Sequence, residues 1–125
     1  MKTIKRTERG WAGHYILADR CLFRRNTLLE YNGISIVIST VGLSYDGGGV
    51  FERIGIDRYF ETMAFHSKKS DKRYMDADEG KQISFDSNWC LNEIDADDKA
   101  NEMHEAVIKE ITGKLKNGDR FCETD

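Results

Sequence analysis

Cys21-Leu-Phe-Arg-Arg-Asn-Thr-Leu-Leu-Glu-Tyr31 runs into Asn32-Gly33 and then Ile34-Ser-Ile-Val-Ile-Ser-Thr-Val41. Two strand-like runs flank an Asn-Gly pair, the composition of a type I′ turn, in which both central residues need φ > 0. The stretch predicts an antiparallel hairpin over residues 22–41. In its second arm Ile34, Ile36, Ile38 and Thr40 share one face, and Ser35, Val37, Ser39 and Val41 share the other.

Towards the N-terminus, Trp11, Gly13, Tyr15 and Leu17 alternate at period two and predict a further strand. Towards the C-terminus, Asp46-Gly47-Gly48-Gly49 predicts a flexible turn, and Phe51 to Ile56 another strand. From Arg58 to His66, Tyr59, Glu61, Met63 and Phe65 alternate with Phe60, Thr62, Ala64 and His66. Apolar groups on both faces predict a central strand or one at an oligomer contact. Residues 67–80 are polar and predict a long exposed loop, followed by a short strand from Lys81 to Phe85. Ser87 is placed to cap a short helical turn through Trp89 to Ile94.

The period then changes. Ala96, Ala100, Met103, Val107, Ile111 and Leu115 recur at spacings of three and four, which makes one apolar helical stripe. Asp95 stands at the capping position, Asp97 and Asp98 in the first turn, Lys114 and Lys116 in the last, and Asn117-Gly118 at the stop. The expected fold class is α+β: an antiparallel β-sheet of about five or six strands followed by a C-terminal amphipathic helix. One domain covers 1–125, with strands over 1–86, helical structure over 87–117 and a loose tail over 118–125.

Composition bounds the function. The chain has 125 residues, 39% hydrophobic and 33% charged, with net charge −3. Neutralising many phosphates needs a surplus of Lys and Arg, so general nucleic-acid binding is not expected. No apolar run approaches the ~20 residues that span a bilayer. No apolar segment follows the basic Met1–Arg6, so the expected location is the cytoplasm. Cys21, Cys90 and Cys122 are widely spaced, and His14, His66 and His104 show no ligand spacing, so neither a disulfide framework nor a metal site is expected.

No enzyme signature is present: Gly47–Gly49 lack a following GK[ST], and GxSxG and HExxH are missing. A Cys–His nucleophile built on Cys21 or Cys90 is the one catalytic alternative. The more informative feature is arginine in apolar company: Arg20, Arg24 and Arg25 around Leu22 and Phe23, and Arg58 beside Tyr59 and Phe60. A guanidinium fork fits phosphate, and nearby rings (Phe23, Tyr59, Phe85, Trp89) can stack on a base. The competing role for Arg24 and Arg25 is a cross-strand ion pair with Glu30 or Glu61. Asn92 is either a turn residue or an amide that reads a base edge. On chemistry alone the candidate ligand residues are Arg24, Arg25, Arg58, Phe85 and Asn92, with no catalytic residue, cofactor or metal.

Arg9-Gly-Trp-Ala-Gly-His-Tyr15, Cys21–Tyr31 and Arg58–His66 resemble segments of small phage and prophage proteins. Within that group, the size and the strands-then-helix order resemble the Thoeris anti-defence sponge family. The resemblance implies a homo-oligomer without catalysis. It would bind cyclic ADP-ribose isomers made by TIR-domain immune enzymes, or cyclic oligonucleotides, and hold them intact near subunit contacts. Two alternatives stay open: a protein inhibitor of a host defence nuclease, of the anti-CRISPR type, and a small Cys-dependent hydrolase.

Overall fold

The computed structural model describes residues 3–9, 21–54, 58–67, 77–84 and 89–121. Its elements are β1 (Lys5–Glu8), β2 (Cys21–Tyr31), β3 (Ile34–Tyr45), β4 (Phe51–Glu52), β5 (Phe60–Ser67), β6 (Ala77–Ser84), β7 (Cys90–Leu91) and α1 (Asp97–Lys116). All strand pairs are antiparallel, in the order β1-β2-β3-β5-β6. The two short strands lie off that path: β4 pairs the far end of β3, and β7 pairs the start of β5. The α+β class follows: an antiparallel sheet closed by one C-terminal helix. No helix among the described residues is long and apolar enough to cross a membrane.

The hairpin forms as its sequence requires. Asn32 and Gly33 have φ of 52° and 82°, and Tyr31 pairs with Ile34. Ile34, Ile36 and Ile38 face α1 and share one core with Leu29, Phe60, Ala64, Ala100, Val107, Ile111 and Leu115. Burying each such aliphatic side chain contributes roughly 1.5–3 kcal/mol. Every member of the apolar helical stripe is buried, Ala96 included. The helix stops as expected: Gly118 has φ 91°, and the N–H groups of Asn117, Gly118 and Asp119 return to carbonyls of the last turn.

β5 is central, flanked by β3 and by β6 and β7. Its second face, together with that of β3, raised the expectation of a partner subunit. Val37, Val41 and Phe65 on that face are nevertheless buried within one chain. Exposed large apolar side chains are instead Leu22, Val50, Phe51 and Ile94.

Several local expectations change. Asp46 braces its glycine turn, its Oδ1 accepting from the N–H groups of Gly48 (2.7 Å) and Val50 (3.1 Å). Within the stretch read as strand from Phe51 to Ile56, only Phe51–Glu52 pairs, because the chain turns so that the Ile54 N–H reaches the Arg58 carbonyl. β6 begins at Ala77, inside the stretch read as loop. Cys90–Leu91 is strand, not helical turn, since its backbone completes the edge of β5 at Phe60 and Glu61. Ala96, not Asp95, precedes α1, without a side-chain cap. The strand expected around Trp11 to Leu17, the cap at Ser87, and the tail from Cys122 lie outside the described residues.

Gly42 is the tightest point of the sheet. Its cross-strand neighbours are Phe23 and Phe60. The fully buried Phe60 ring lies over Gly42 and meets Phe23 edge-on, with centroids 5.7 Å apart. A Cβ at position 42 would stand 2.2 Å from that ring. Gly42→Ala is therefore expected to destabilise the fold by about 1–3 kcal/mol through overpacking. Urea unfolding measures this, and an unchanged midpoint would contradict the packing described.

Candidate functional site

The anticipated residues do not converge. Arg24 is exposed, and strand alternation puts it on the face opposite Arg25. Arg58 is half-buried and already engaged. Asn92 is exposed, just after β7. Phe85 and Arg20 lie outside the described residues, while Trp89 is buried in the main core and Phe23 packs against it.

Arg25 faces the helix, and two carboxylates hold it. Its guanidinium meets Glu8 at 2.8 Å and also reaches Glu105. Arg6 joins the same two acids, at 2.7 Å from Glu8 and in a forked contact with Glu105. The cross-strand partners expected for Arg25, Glu30 and Glu61, are thus replaced by residues of β1 and α1. Glu105 is held well down, to about 2, first by the Arg6 hydrogen bond and then by Arg25, against its own desolvation. Desolvation pushes Glu8 up, but hydrogen bonds from Arg6, Arg25 and Thr27 outweigh it and keep the carboxyl below its ordinary value.

Beneath this cluster His104 is fully buried. Its Nε2 lies 2.8 Å from Thr27 Oγ1, and its Nδ1 lies 2.7 Å from Thr40 Oγ1, which in turn lies 2.6 Å from Thr62 Oγ1. Thr27 Oγ1 also sits 2.9 Å and 3.0 Å from the two Glu8 oxygens. These contacts fix the proton order. An ionised carboxylate only accepts, so the single Thr27 proton goes to Glu8. His104 Nε2–H then donates to Thr27, the bare Nδ1 accepts from Thr40, and Thr62 donates to Thr40. Thr40 beside an imidazole has the geometry of an activated nucleophile, but Thr27, Thr40, Thr62 and His104 are all fully buried. The chain fastens α1 to β2, β3 and β5, and no substrate reaches it in this conformation.

A different corner is accessible. Arg53 follows β4, and its Cζ lies 5.0 Å above the centre of the Tyr59 ring. Its Nε–H donates to Asn92 Oδ1 at 3.3 Å. Tyr59 is held at both sides by its backbone: its carbonyl accepts from Leu43 N–H at 3.0 Å, and its N–H donates to Leu91 at 2.8 Å. Leu43 itself has φ 54° and a buried side chain. A bulky residue in the left-handed region costs roughly 1–3 kcal/mol, and here it marks where β3 changes partner from β5 to β4. No ion pair involves Arg53 among the described residues. Neutral groups fix this guanidinium on one face and at Nε, and the outer fork of N–H donors stays open.

Two residues of this corner are among those the sequence singles out, Asn92 as a candidate ligand and Tyr59 as a candidate stacking ring. Arg53 is not, because nothing near it in sequence signals the stack. Two shallow clefts among the described residues lie elsewhere. One of about 390 Å³ borders the Asn32-Gly33 turn, and one of about 320 Å³ runs between Ile4 and Ile108. Cys21 is buried and Cys90 half-buried. Compared with known proteins, the chain matches no family model, no curated protein and no solved structure.

Burial, reinforced by the Arg25 charge, pushes His104 down from 6.5 to about 4. Above pH ~6.5 the imidazole is neutral in both states. Below that the unfolded chain takes up a proton that the folded chain refuses, so stability falls between pH ~6.5 and ~4, by up to about 3 kcal/mol. Glu8 and Glu105 add a further loss below their ordinary 4.5, because their folded values are lowered. His104→Gln should remove the first phase and keep the second. Chemical denaturation across pH measures both, and a wild-type profile flat from pH 7 to 5 would contradict the assignment.

Proposed function

We propose that this protein binds a small cyclic nucleotide reversibly and holds it without turnover, as a phage counter-defence sponge does. The observation that carries the reading is the Arg53 fork, fixed by Tyr59 and Asn92 with no carboxylate partner among the described residues. A guanidinium already ordered by neutral groups loses little freedom when it meets a phosphate, and it presents paired donors to the oxygens. Tyr59 lies under it, and Arg58 immediately precedes Tyr59 in sequence. Arg25 is left out, because Glu8 and Glu105 already neutralise it. Arg24 is exposed. The residues named have no nucleophile–base role in the reading, so the ligand leaves intact. A cytoplasmic homo-oligomer remains part of the proposal, now resting on the exposed Leu22 and Ile94. Sedimentation as a strict monomer would remove that part.

Calorimetry against cyclic ADP-ribose isomers and cyclic di- and trinucleotides tests the reading. Arg53→Gln should cost about 1.5–3 kcal/mol of binding, tenfold to somewhat over a hundredfold, with little change in melting temperature. Arg25→Ala should do the reverse, lowering the melting temperature and sparing affinity. Ligand recovered after heating should have unchanged mass, and cleavage would move the reading to a hydrolase. Binding to none of the set would move it to a protein inhibitor.

A further inference from the structure

β1 ends the sheet on its side, and among the described residues it pairs with β2 alone. The Arg9 N–H donates to the Asn26 carbonyl at 2.7 Å, one step beyond the Glu8–Thr27 pair. Bonded and non-bonded pairs alternate along an antiparallel ladder. Lys5 and Thr7, in step with Arg9, therefore turn their backbone groups toward β2, while Arg6 and Glu8 turn theirs to the outer edge. Charged side chains on an edge ordinarily discourage an incoming strand. Here the Arg6 and Glu8 charges are balanced within the fold, by each other and by Arg25 and Glu105. Beside this edge lies the cleft of about 320 Å³ between β1 and α1. Leu29 and Ile108, both buried, and the half-buried Ile4 give it an apolar floor. Lys109, which also lines it, is exposed, and no ion pair involves it among the described residues.

We infer that β1 and this cleft form a docking groove for an extended segment of a partner protein, which adds to the sheet as an antiparallel strand. An added strand runs ~4.8 Å from β1, and every second side chain projects to the helix side of the sheet, where Ile4 and Arg6 border the cleft. Main-chain bonds to Arg6 and Glu8 give affinity, and the cleft gives selectivity. The segment it fits carries an aliphatic side chain, for the floor of Ile4, Leu29 and Ile108, and two residues away an acidic one, for Lys109. The groove shares no residue with the Arg53 corner, so it stands apart from the nucleotide reading. A gap left by imperfect packing of β1 on α1 predicts dependence neither on the N–H groups of a peptide nor on the charge at position 109.

The probe is a capped peptide, Thr-Leu-Thr-Asp-Thr, titrated into the full chain and followed through backbone amide NMR signals. Those of Arg6, Glu8, Ile108 and Lys109 should move together. In an antiparallel pair, residues that exchange bonds also share a face, so the peptide residues bonded to β1 are the Leu and the Asp. Methylating their two backbone nitrogens should weaken binding about fivefold or more, whereas methylating the Thr nitrogens should not. Lys109→Glu, an exposed change that the fold tolerates, should weaken the Asp peptide and make one with Lys in its place the tighter binder. Arg53→Gln should alter none of this. No binding to the wild type, equal binding after methylation at Leu and Asp, or an unchanged preference for Asp over Lys in Lys109→Glu each overturns the inference, and each leaves the Arg53 reading standing.

Discussion

His104, locked between Thr27 and Thr40, is the contact on which the rest of the arrangement depends. It is the one polar side chain that α1 buries completely against the sheet. A ring nitrogen bonded on each side sets both the height and the rotation of the helix over β2 and β3. An apolar stripe alone would tolerate a slide along the sheet. A buried imidazole does not, since leaving either threonine hydroxyl unmatched costs about 1–3 kcal/mol. The proton order within the chain is set from outside, by the Glu8 carboxylate, and Glu8 is held in place by Arg6 and Arg25. The edge strand β1 is thereby tied to the helix through charges and to the sheet through its ladder.

The ion cluster above His104 uses Arg6 and Arg25 with Glu8 and Glu105, two cations against two acids, so its charges balance within the fold. Further along β3, past Thr40 and Gly42, the chain departs from the regular sheet: Leu43 enters the left-handed region, β4 replaces β5 as the partner, and Arg53 lies over Tyr59. There the guanidinium is ordered by a ring and an amide, neither of which cancels its charge. What separates Arg53 from Arg6 and Arg25 is the identity of its neighbours, a ring and an amide in place of two carboxylates.

Much of the fold was legible because its signals are local. Asn32-Gly33 fixes the hairpin within two residues, and the stripe from Ala96 to Leu115 fixes the helix and its buried face. His104 was legible in principle, since it adjoins Met103 and lies three residues before Val107 on that same face. The remainder depends on separations that no window captures. Arg25 finds Glu105 eighty residues away. β4 and β7 are two residues long each, too short for alternation to show, and they exist because the neighbouring strand offers an open edge. Arg53 follows directly on that β4 pairing and lies over Tyr59, six residues away in sequence. Asp95 looked like a cap, yet the helix begins at Asp97 without one.

The fold closes the guanidinium groups of Arg6 and Arg25 with carboxylates and leaves that of Arg53 without one among the described residues. Nitrogen-detected NMR of the arginine side chains, recorded with and without inorganic phosphate, tests this difference in one experiment. The Arg53 signals should shift on titration while those of Arg6 and Arg25 stay where they are. A response from Arg25 with Arg53 unmoved would contradict it.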